Sequence, residues 1–185
     1  MGAANASAQA KKTATRSVDL SAFAGFTYEN AAYDSPSNIG LTFGADYTQF
    51  IKRLRGLIIP SFELRGTFTP GSTDSEKTVE GGLKLATTFK RLHPYGDFLY
   101  GGGIITFPVP ANAPPTYRRR DSSETPVYGG GITYDVRPNW SAMVDFQQQN
   151  WNFHSKPPAA PDLLTPQLLT FGIVYHIPFK AYKTY

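Results

Sequence analysis

The sequence predicts an all-β protein whose strands form one antiparallel, up-and-down barrel. Two observations predict it: apolar and polar residues alternate through most of the chain, and residues that favour strands and turns are abundant. The 185 residues include 13 Phe, 11 Tyr, 17 Gly and 15 Pro, and only 17% are charged. This composition excludes a helical bundle, and its aromatic content excludes a wholly disordered chain.

The residue types that are scarce limit the possible chemistry. There is no Cys, which excludes disulfides, thiol nucleophiles and thiolate metal sites. His93, His154 and His176 lie far apart in the sequence, without the spacing of metal ligands. We therefore expect neither a metal nor a cofactor. No run of 18 apolar residues is present, so no transmembrane helix is expected.

Eight runs alternate between apolar and polar positions, and each predicts a strand because successive Cβ atoms point to opposite faces. The apolar positions of the runs span Val18–Tyr28, Ile39–Tyr47, Ile58–Phe68, Val79–Phe89, Tyr95–Pro108, Tyr128–Val136, Trp140–Phe146 and Leu169–Phe179. Phe23 is an apolar exception on the polar face of the first run. The facing of the fifth run is ambiguous, and Asp97 favours the odd positions as its polar side.

The connections between runs alternate in length. Residues 51–56, 91–94 and 138–139 form short turns, whereas residues 30–38, 71–77, 109–124 and 155–163 form longer loops that are rich in Pro, Ser and Asn. Strict alternation would put all long loops at one end of the barrel. The even number of strands would put both termini at the other end.

A barrel of this kind is either a soluble carrier, apolar inside, or a membrane barrel, apolar outside. The apolar stripes extend over about nine to eleven residues, the length that crosses a bilayer at a tilt. Aromatic residues gather at both stripe ends, as in the interfacial belts of membrane proteins. The polar faces carry mostly Gly, Ser and Thr rather than the Lys and Glu of a soluble surface. The sequence thus favours an eight-stranded antiparallel up-and-down transmembrane β-barrel.

The final strand strengthens this interpretation. Residues 170–179, TFGIVYHIPF, carry a polar residue, a Gly and then alternating aromatic or apolar residues that end near Phe. The segment resembles the assembly signal of small outer-membrane barrels of Gram-negative bacteria, the eight-stranded OmpA/OmpX-like branch. It departs from that signal at Pro178 and in the residues after Phe179. Pro60 also departs from a fully paired ladder, and a bulge or a strand that begins at Ser61 would accommodate it.

The resemblance implies that residues 17–179 form the barrel domain, in a bacterial outer membrane. Residues 180–185 form a C-terminal tail. Residues 1–16 form a disordered tail or the remnant of a signal peptide, because Ala8-Gln9-Ala10 before two lysines is similar to a cleavage site but lacks an apolar segment before it.

Charged side chains on the polar faces predict a network inside the lumen, because unpaired charges in a narrow interior cost several kcal/mol each. Asp97 is a further candidate, and the network itself consists of Asp46, Glu63, Arg65, Glu80, Lys84, Asp135, Arg137 and Asp145. The network is either a gated ion path or a polar plug. Eight strands leave room only for their own side chains, which favours the plug.

The longest loop carries Tyr117, Arg118, Arg119 and Arg120. Arginine forms bidentate contacts with phosphate, so this segment is a candidate site for lipid A phosphates or other anions. The alternative is a solvated run of charge balanced by nearby acids. Three arginines are too few to predict a nucleic-acid site.

We therefore expect a non-enzymatic envelope protein, structural or interacting with surfaces through its long loops. Its expected partners are outer-membrane lipid, lipopolysaccharide and other envelope proteins, with no nucleic acid. One alternative is a soluble, lipocalin-like carrier of an apolar ligand. Another is a barrel enzyme that modifies lipid A, since His154 and Ser155 resemble the residues of the deacylases, although no acid stands at a recognisable spacing.

Overall fold

The computed structural model describes residues 18–30, 37–51, 57–71, 75–107, 109, 111–112, 119–153 and 163–178. Within these residues the chain forms ten strands: β1 (Val18–Asn30), β2 (Asn38–Gln49), β3 (Ile59–Pro70), β4 (Ser75–Ala86), β5 (Leu92–Thr106), β6 (Arg120–Arg137), β7 (Trp140–Gln149), β8 (Trp151–Asn152), β9 (Leu163–Leu164) and β10 (Gln167–His176). None of the described residues forms a helix long and apolar enough to span a membrane.

Eight of these strands close into a barrel in the order β1-β10-β7-β6-β5-β4-β3-β2, while β8 and β9 form a separate two-stranded ribbon. Every neighbouring pair in the barrel is antiparallel, including β1 with β10, which join the two ends of the barrel chain. The predicted fold class is confirmed.

The wall has its apolar side outward. Leu83 on β4 is 65% exposed, whereas Lys84, the next residue, is 6% exposed and faces the lumen. The same alternation holds on the other strands, since residues with a period of two share one face. On β5 the odd positions face inward, as Asp97 predicts. This polarity is that of a membrane barrel and the reverse of a soluble carrier.

The connections differ from the predicted alternation in length. Strand β6 begins at Arg120, so residues 120–124 belong to the wall and not to the loop. The connection between β3 and β4 covers only residues 71–74, whereas residues 50–58 connect β2 and β3 at the opposite end. We call the end with residues 107–119 and the β8–β9 ribbon the loop end, and the end with residues 87–91 and 138–139 the turn end.

Pro60 and Pro178, the two prolines that depart from the expected strand pattern, lie near strand ends. Pro60 is the second residue of β3 and pairs in register with Leu85, so neither a bulge nor a later start is needed. Strand β10 ends at His176, before Pro178. Both predicted tails, at residues 1–16 and 180–185, lie outside the described residues.

Candidate functional site

The lumen is crossed by a group of ionised side chains that we call the charged layer, formed by Asp46, Glu63, Arg65, Lys84 and Asp145. The Arg65 guanidinium donates through Nε to Glu63 Oε1 and through Nη1 to Asp145 Oδ2, each at 2.7 Å. Lys84 Nζ lies 3.0 Å from Glu63 Oε2 and 3.1 Å from Asp46 Oδ2. These five residues are at most 6% exposed, so the layer fills the lumen with paired charge.

Aromatic side chains support the two cations of the layer. Phe23, the apolar exception of the first run, points inward, and its ring centroid lies 5.5 Å from the Arg65 guanidinium carbon and 5.7 Å from Lys84 Nζ. The Tyr95 ring lies 4.1 Å from the same Lys84 nitrogen. Gly44 leaves room for Phe23, because a Cβ at Gly44 would overlap that ring. Phe23 therefore belongs to the charged layer by cation–π contact.

Neutral donors bind to Asp145 and connect the layer to Asp97. The Tyr95 hydroxyl donates to Asp145 Oδ1 at 2.6 Å. The Gln147 amide donates to Asp145 Oδ1 at 3.1 Å and to both carboxylate oxygens of Asp97 at 3.0 Å. Asp97, the further candidate, thus joins the network through Gln147 and without a direct ion pair among the described residues.

Glu80 lies nearer the loop end and is joined to the mouth of the barrel. Gln149 Nε2 donates to Glu80 Oε1 at 2.9 Å, and Trp151 Nε1 donates to Gln149 Oε1 at 3.0 Å. All three side chains are almost fully buried. Among the described residues, Glu80 therefore joins the predicted network through neutral hydrogen bonds.

An apolar plug, which we call the mouth cluster, closes the lumen at the loop end. Ile105 and Phe107 pack against Trp151 and Leu164, with Phe153 at the edge of the cluster. The Trp151 ring lies directly against Gly103, where an added Cβ would overlap it. The ribbon that carries Trp151 and Leu164 is thereby held over the lumen.

Four threonines on adjacent strands form a polar band between these two plugs. The Thr27 hydroxyl lies 2.6 Å from that of Thr42 and 2.9 Å from that of Thr170, and Thr42 lies 3.1 Å from Thr67. These bonds link β10, β1, β2 and β3, so they cross the junction between the first and last strands.

A hydrogen-bonded chain runs along the rim at the turn end. Asp19 Oδ2 lies 2.7 Å from His176 Nδ1, and His176 Nε2 lies 3.2 Å from Ser141 Oγ. Ser141 donates to Asp135 Oδ1 at 2.8 Å, and Asp135 Oδ2 lies 3.0 Å from His93 Nε2. The chain connects β1, β10, β7, β6 and β5.

Three members of this rim chain stand in the order of a hydrolase triad, with aspartate, histidine and serine joined through the two ring nitrogens. The Ser141 hydroxyl, however, gives its proton to Asp135, and Ser141 is only 2% exposed. A nucleophile must reach its substrate and pass its proton to the base. Its hydrogen bonds instead link β7 to β6 and β10 at the rim.

Two predicted members of the charge network lie apart from it. Asp135 belongs to the rim chain, at the turn end of β6. Arg137 is exposed and lies opposite Trp140, next to an irregularity in the β6–β7 register. Because the register shifts there and β6 ends at Arg137, this side chain does not face the lumen. The alternation alone would have placed it inside.

The other predicted residues are only partly described. Arg119 and Arg120 are exposed, and Arg120 is the first residue of β6. Tyr117, Arg118, His154 and Ser155 lie outside the described residues. No group of three or more His, Cys, Asp or Glu able to hold a metal occurs in the described part of the chain.

Eight closed strands with an apolar outer wall and a polar, plugged lumen define an outer-membrane β-barrel of the small OmpA/OmpX-like fold. Solved structures of such barrels are similar to it. Neisserial surface protein A has a TM-score of 0.53 and 12% identity, over 86% of this chain and 97% of that one. A major outer membrane protein from Thermus thermophilus has a TM-score of 0.52 and 12% identity, over 88% and 100%. Ail, the attachment invasion locus protein of Yersinia pestis, has a TM-score of 0.50 and 14% identity, over 86% and 97%.

These likenesses show the fold. No family model matches the sequence. A search of curated proteins likewise finds no significant match.

Proposed function

We propose that the protein is a non-enzymatic surface-interaction protein of the outer membrane, which contacts other surfaces at its loop end and does not conduct solutes. The observation that carries this proposal is the double closure of the lumen. The charged layer and the mouth cluster fill the interior at two levels, which leaves the outside of the loop end as the place for recognition.

The loop end is also the larger end. Strands β5 and β6 are the longest in the barrel, and they lead into the connection at residues 107–119. The β8–β9 ribbon stands beside them. In bacterial outer-membrane barrels the larger loops face the cell exterior and the short turns face the periplasm. Ail, one of the similar structures, is named for attachment and invasion.

The absence of Cys offers a clean test of orientation. A single cysteine is introduced at Ala113→Cys in the loop, and the matched variant is Asn139→Cys at the turn end. Intact cells are treated with a membrane-impermeant maleimide. We expect label on the Ala113→Cys protein alone, and label on Asn139→Cys alone would contradict the proposed orientation.

A binding assay tests the role of the arginine segment 118–120, which ends at the first residue of β6. The triple change Arg118→Gln, Arg119→Gln and Arg120→Gln should weaken adsorption of the reconstituted barrel to anionic polysaccharide, most strongly at low salt, where charges are least screened. The matched control is Arg137→Gln at the turn end. Undiminished adsorption of a folded triple variant would contradict recognition by this arginine segment.

A further inference from the structure

The rim chain at the turn end crosses the seam, by which we mean the junction between β1 and β10 that closes the barrel. Asp19 on β1 and His176 on β10 meet across it at 2.7 Å. Beside them the Ile177 amide donates to the Leu20 carbonyl at 2.8 Å. The His176 ring therefore lies at the turn-end edge of the seam.

The directions of the hydrogen bonds determine the protonation of the His176 ring. The Asp19 carboxylate can only accept, so the ring donates to it through Nδ1. The Ser141 hydroxyl gives its single proton to Asp135 Oδ1, at 2.8 Å. Ser141 Oγ, 3.2 Å from His176 Nε2, is therefore left to accept a second ring proton. With both nitrogens protonated, His176 is an imidazolium.

Loss of either ring proton breaks one of these hydrogen bonds. A ring without the Nδ1 proton turns a lone pair toward the Asp19 carboxylate. A ring without the Nε2 proton needs the Ser141 hydroxyl as its donor, and Asp135 Oδ1 then loses that donor. Hydrogen bonds between charged groups are the stronger kind, so the rim chain is most stable while His176 is charged.

Negative charge faces the ring from several directions. The carboxylates that act on His176 come from three strands: Asp19 on β1, Asp46 on β2 and Asp135 on β6. Ser21 pairs in register with both Asp46 and His176, which puts Asp46 in the same row. Lys84 binds Asp46 at 3.1 Å, and the His93 ring lies 3.0 Å from Asp135. Asp19 thus supplies the direct charge that favours a protonated ring.

We propose that the rim chain is a proton-dependent latch, which holds the turn-end edge of the seam while His176 is an imidazolium and releases it when the ring loses a proton. Imidazole titrates near neutral pH, so modest changes in the surroundings separate the two states. The folded barrel binds this proton more tightly than the unfolded chain does. The stabilisation is therefore present in mild acid and is lost as the pH rises. The latch does not depend on which end of the barrel faces the cell exterior.

Amide hydrogen exchange of the barrel in phospholipid nanodiscs tests the latch at the seam itself. The protection factor of the Ile177 amide should fall about tenfold from about pH 6 to about pH 9, the effect of one hydrogen bond to a charged group. The Ile173 amide, opposite Ala24 in the middle of the seam, is the internal control and should stay protected. An Ile177 protection factor that is independent of pH would overturn the proposal.

Matched variants separate the proton from the shape of the side chain. His176→Gln keeps a polar amide that takes up no proton, and it should abolish the pH dependence at Ile177. His154→Gln, one position after Phe153 of the mouth cluster, is the control and should retain it. Retention of the pH dependence in His176→Gln would overturn the proposal. Heat-modifiable gel migration establishes that each variant is folded.

Two further measurements report on the proton directly. Nitrogen NMR at about pH 7 should show both ring nitrogens of His176 protonated, with the signals identified by their absence from His176→Gln. Asp19→Asn should move the loss of Ile177 protection to lower pH, because removal of the adjacent negative charge weakens proton binding. A neutral His176 ring at about pH 7 would overturn the proposal.

Discussion

The charged layer and the mouth cluster close the same lumen by opposite means. In the charged layer, Arg65 and Lys84 each reach two carboxylates, and every ionised partner is buried. In the mouth cluster, Trp151 and Leu164 pack against Ile105 of β5 and against Phe107, which follows β5, and the Trp151 indole donates a hydrogen bond to Gln149.

The comparison shows how a plug responds to change. A buried ion pair depends on both partners, since removal of one leaves an uncompensated charge. An apolar cluster can repack when a side chain is altered, particularly at the edge of a structure. The charged layer is therefore expected to be the rigid seal and the mouth cluster the adaptable one.

The largest expected effect is that of Arg65→Met, which leaves Glu63 and Asp145 without their shared cation. We expect a loss of about 3–5 kcal/mol in the free energy of unfolding. Urea titration in phospholipid vesicles, followed by heat-modifiable gel migration, measures it. Arg137→Met, on the exposed rim, is the control, and an equal loss in both variants would show that the layer has no special role.

The next largest loss in the free energy of unfolding is expected when a cation is placed on the outer face of the same wall. Lys84 is stable inside the lumen, whereas Leu83→Arg places an Arg on the apolar outer face and should cost about 2–4 kcal/mol. Leu57→Arg is a matched change at the turn end, where the cost falls to about 0–1 kcal/mol. The same vesicle titration applies, and equal tolerance of the two variants would contradict the assigned facing.

A smaller effect is expected in the mouth cluster. Leu164→Ala should cost about 2 kcal/mol, because the ribbon can move toward the space that is left. Planar bilayer recordings should show no steady channel, since the charged layer still fills the lumen. Stable, uniform openings in this variant would make the mouth cluster the main seal.

The smallest effect belongs to the threonine band. Thr27→Val removes the hydroxyl between Thr42 and Thr170 and should cost about 1 kcal/mol. Thr106→Val, at the loop end of β5, is the control. A cost above that of Leu164→Ala would show that the band contributes more than its hydrogen bonds.

Alternation along the sequence was enough to predict the eight barrel strands and, apart from the fifth run, their facing. Lys84 follows Leu83, and a period of two sends them to opposite sides of the wall whatever the neighbouring strands are. The sequence does not determine which charges meet. Arg65 and Asp145 are 80 positions apart, and their contact depends on how the barrel closes and staggers.

The sequence did not predict the mouth cluster, for a different reason. Near the loop end of β5 both faces are apolar, with Ile104 outward and Ile105 inward, so the alternation gives no signal there. Trp151 continues the odd, inward positions of the seventh run, but those positions are mostly polar, so the apolar Trp151 does not fit the pattern that marks a lumen side chain. The start of β6 was missed because Arg120, Ser122 and Glu124 are polar although they face outward, at a level where the wall no longer requires apolar residues.

The junction between β1 and β10 has a consequence for how the chain reaches its closed form. Asp19 pairs with His176 across 157 positions, and Thr27 pairs with Thr170 across 143. Until β10 is in place, β1 and β7 each present an open edge of backbone donors and acceptors, which invites association with other chains. Strand β10 is synthesised after every other barrel strand. A barrel that pairs its strands in chain order therefore keeps two exposed edges until β10 pairs with both β1 and β7, and that pairing removes both edges at once.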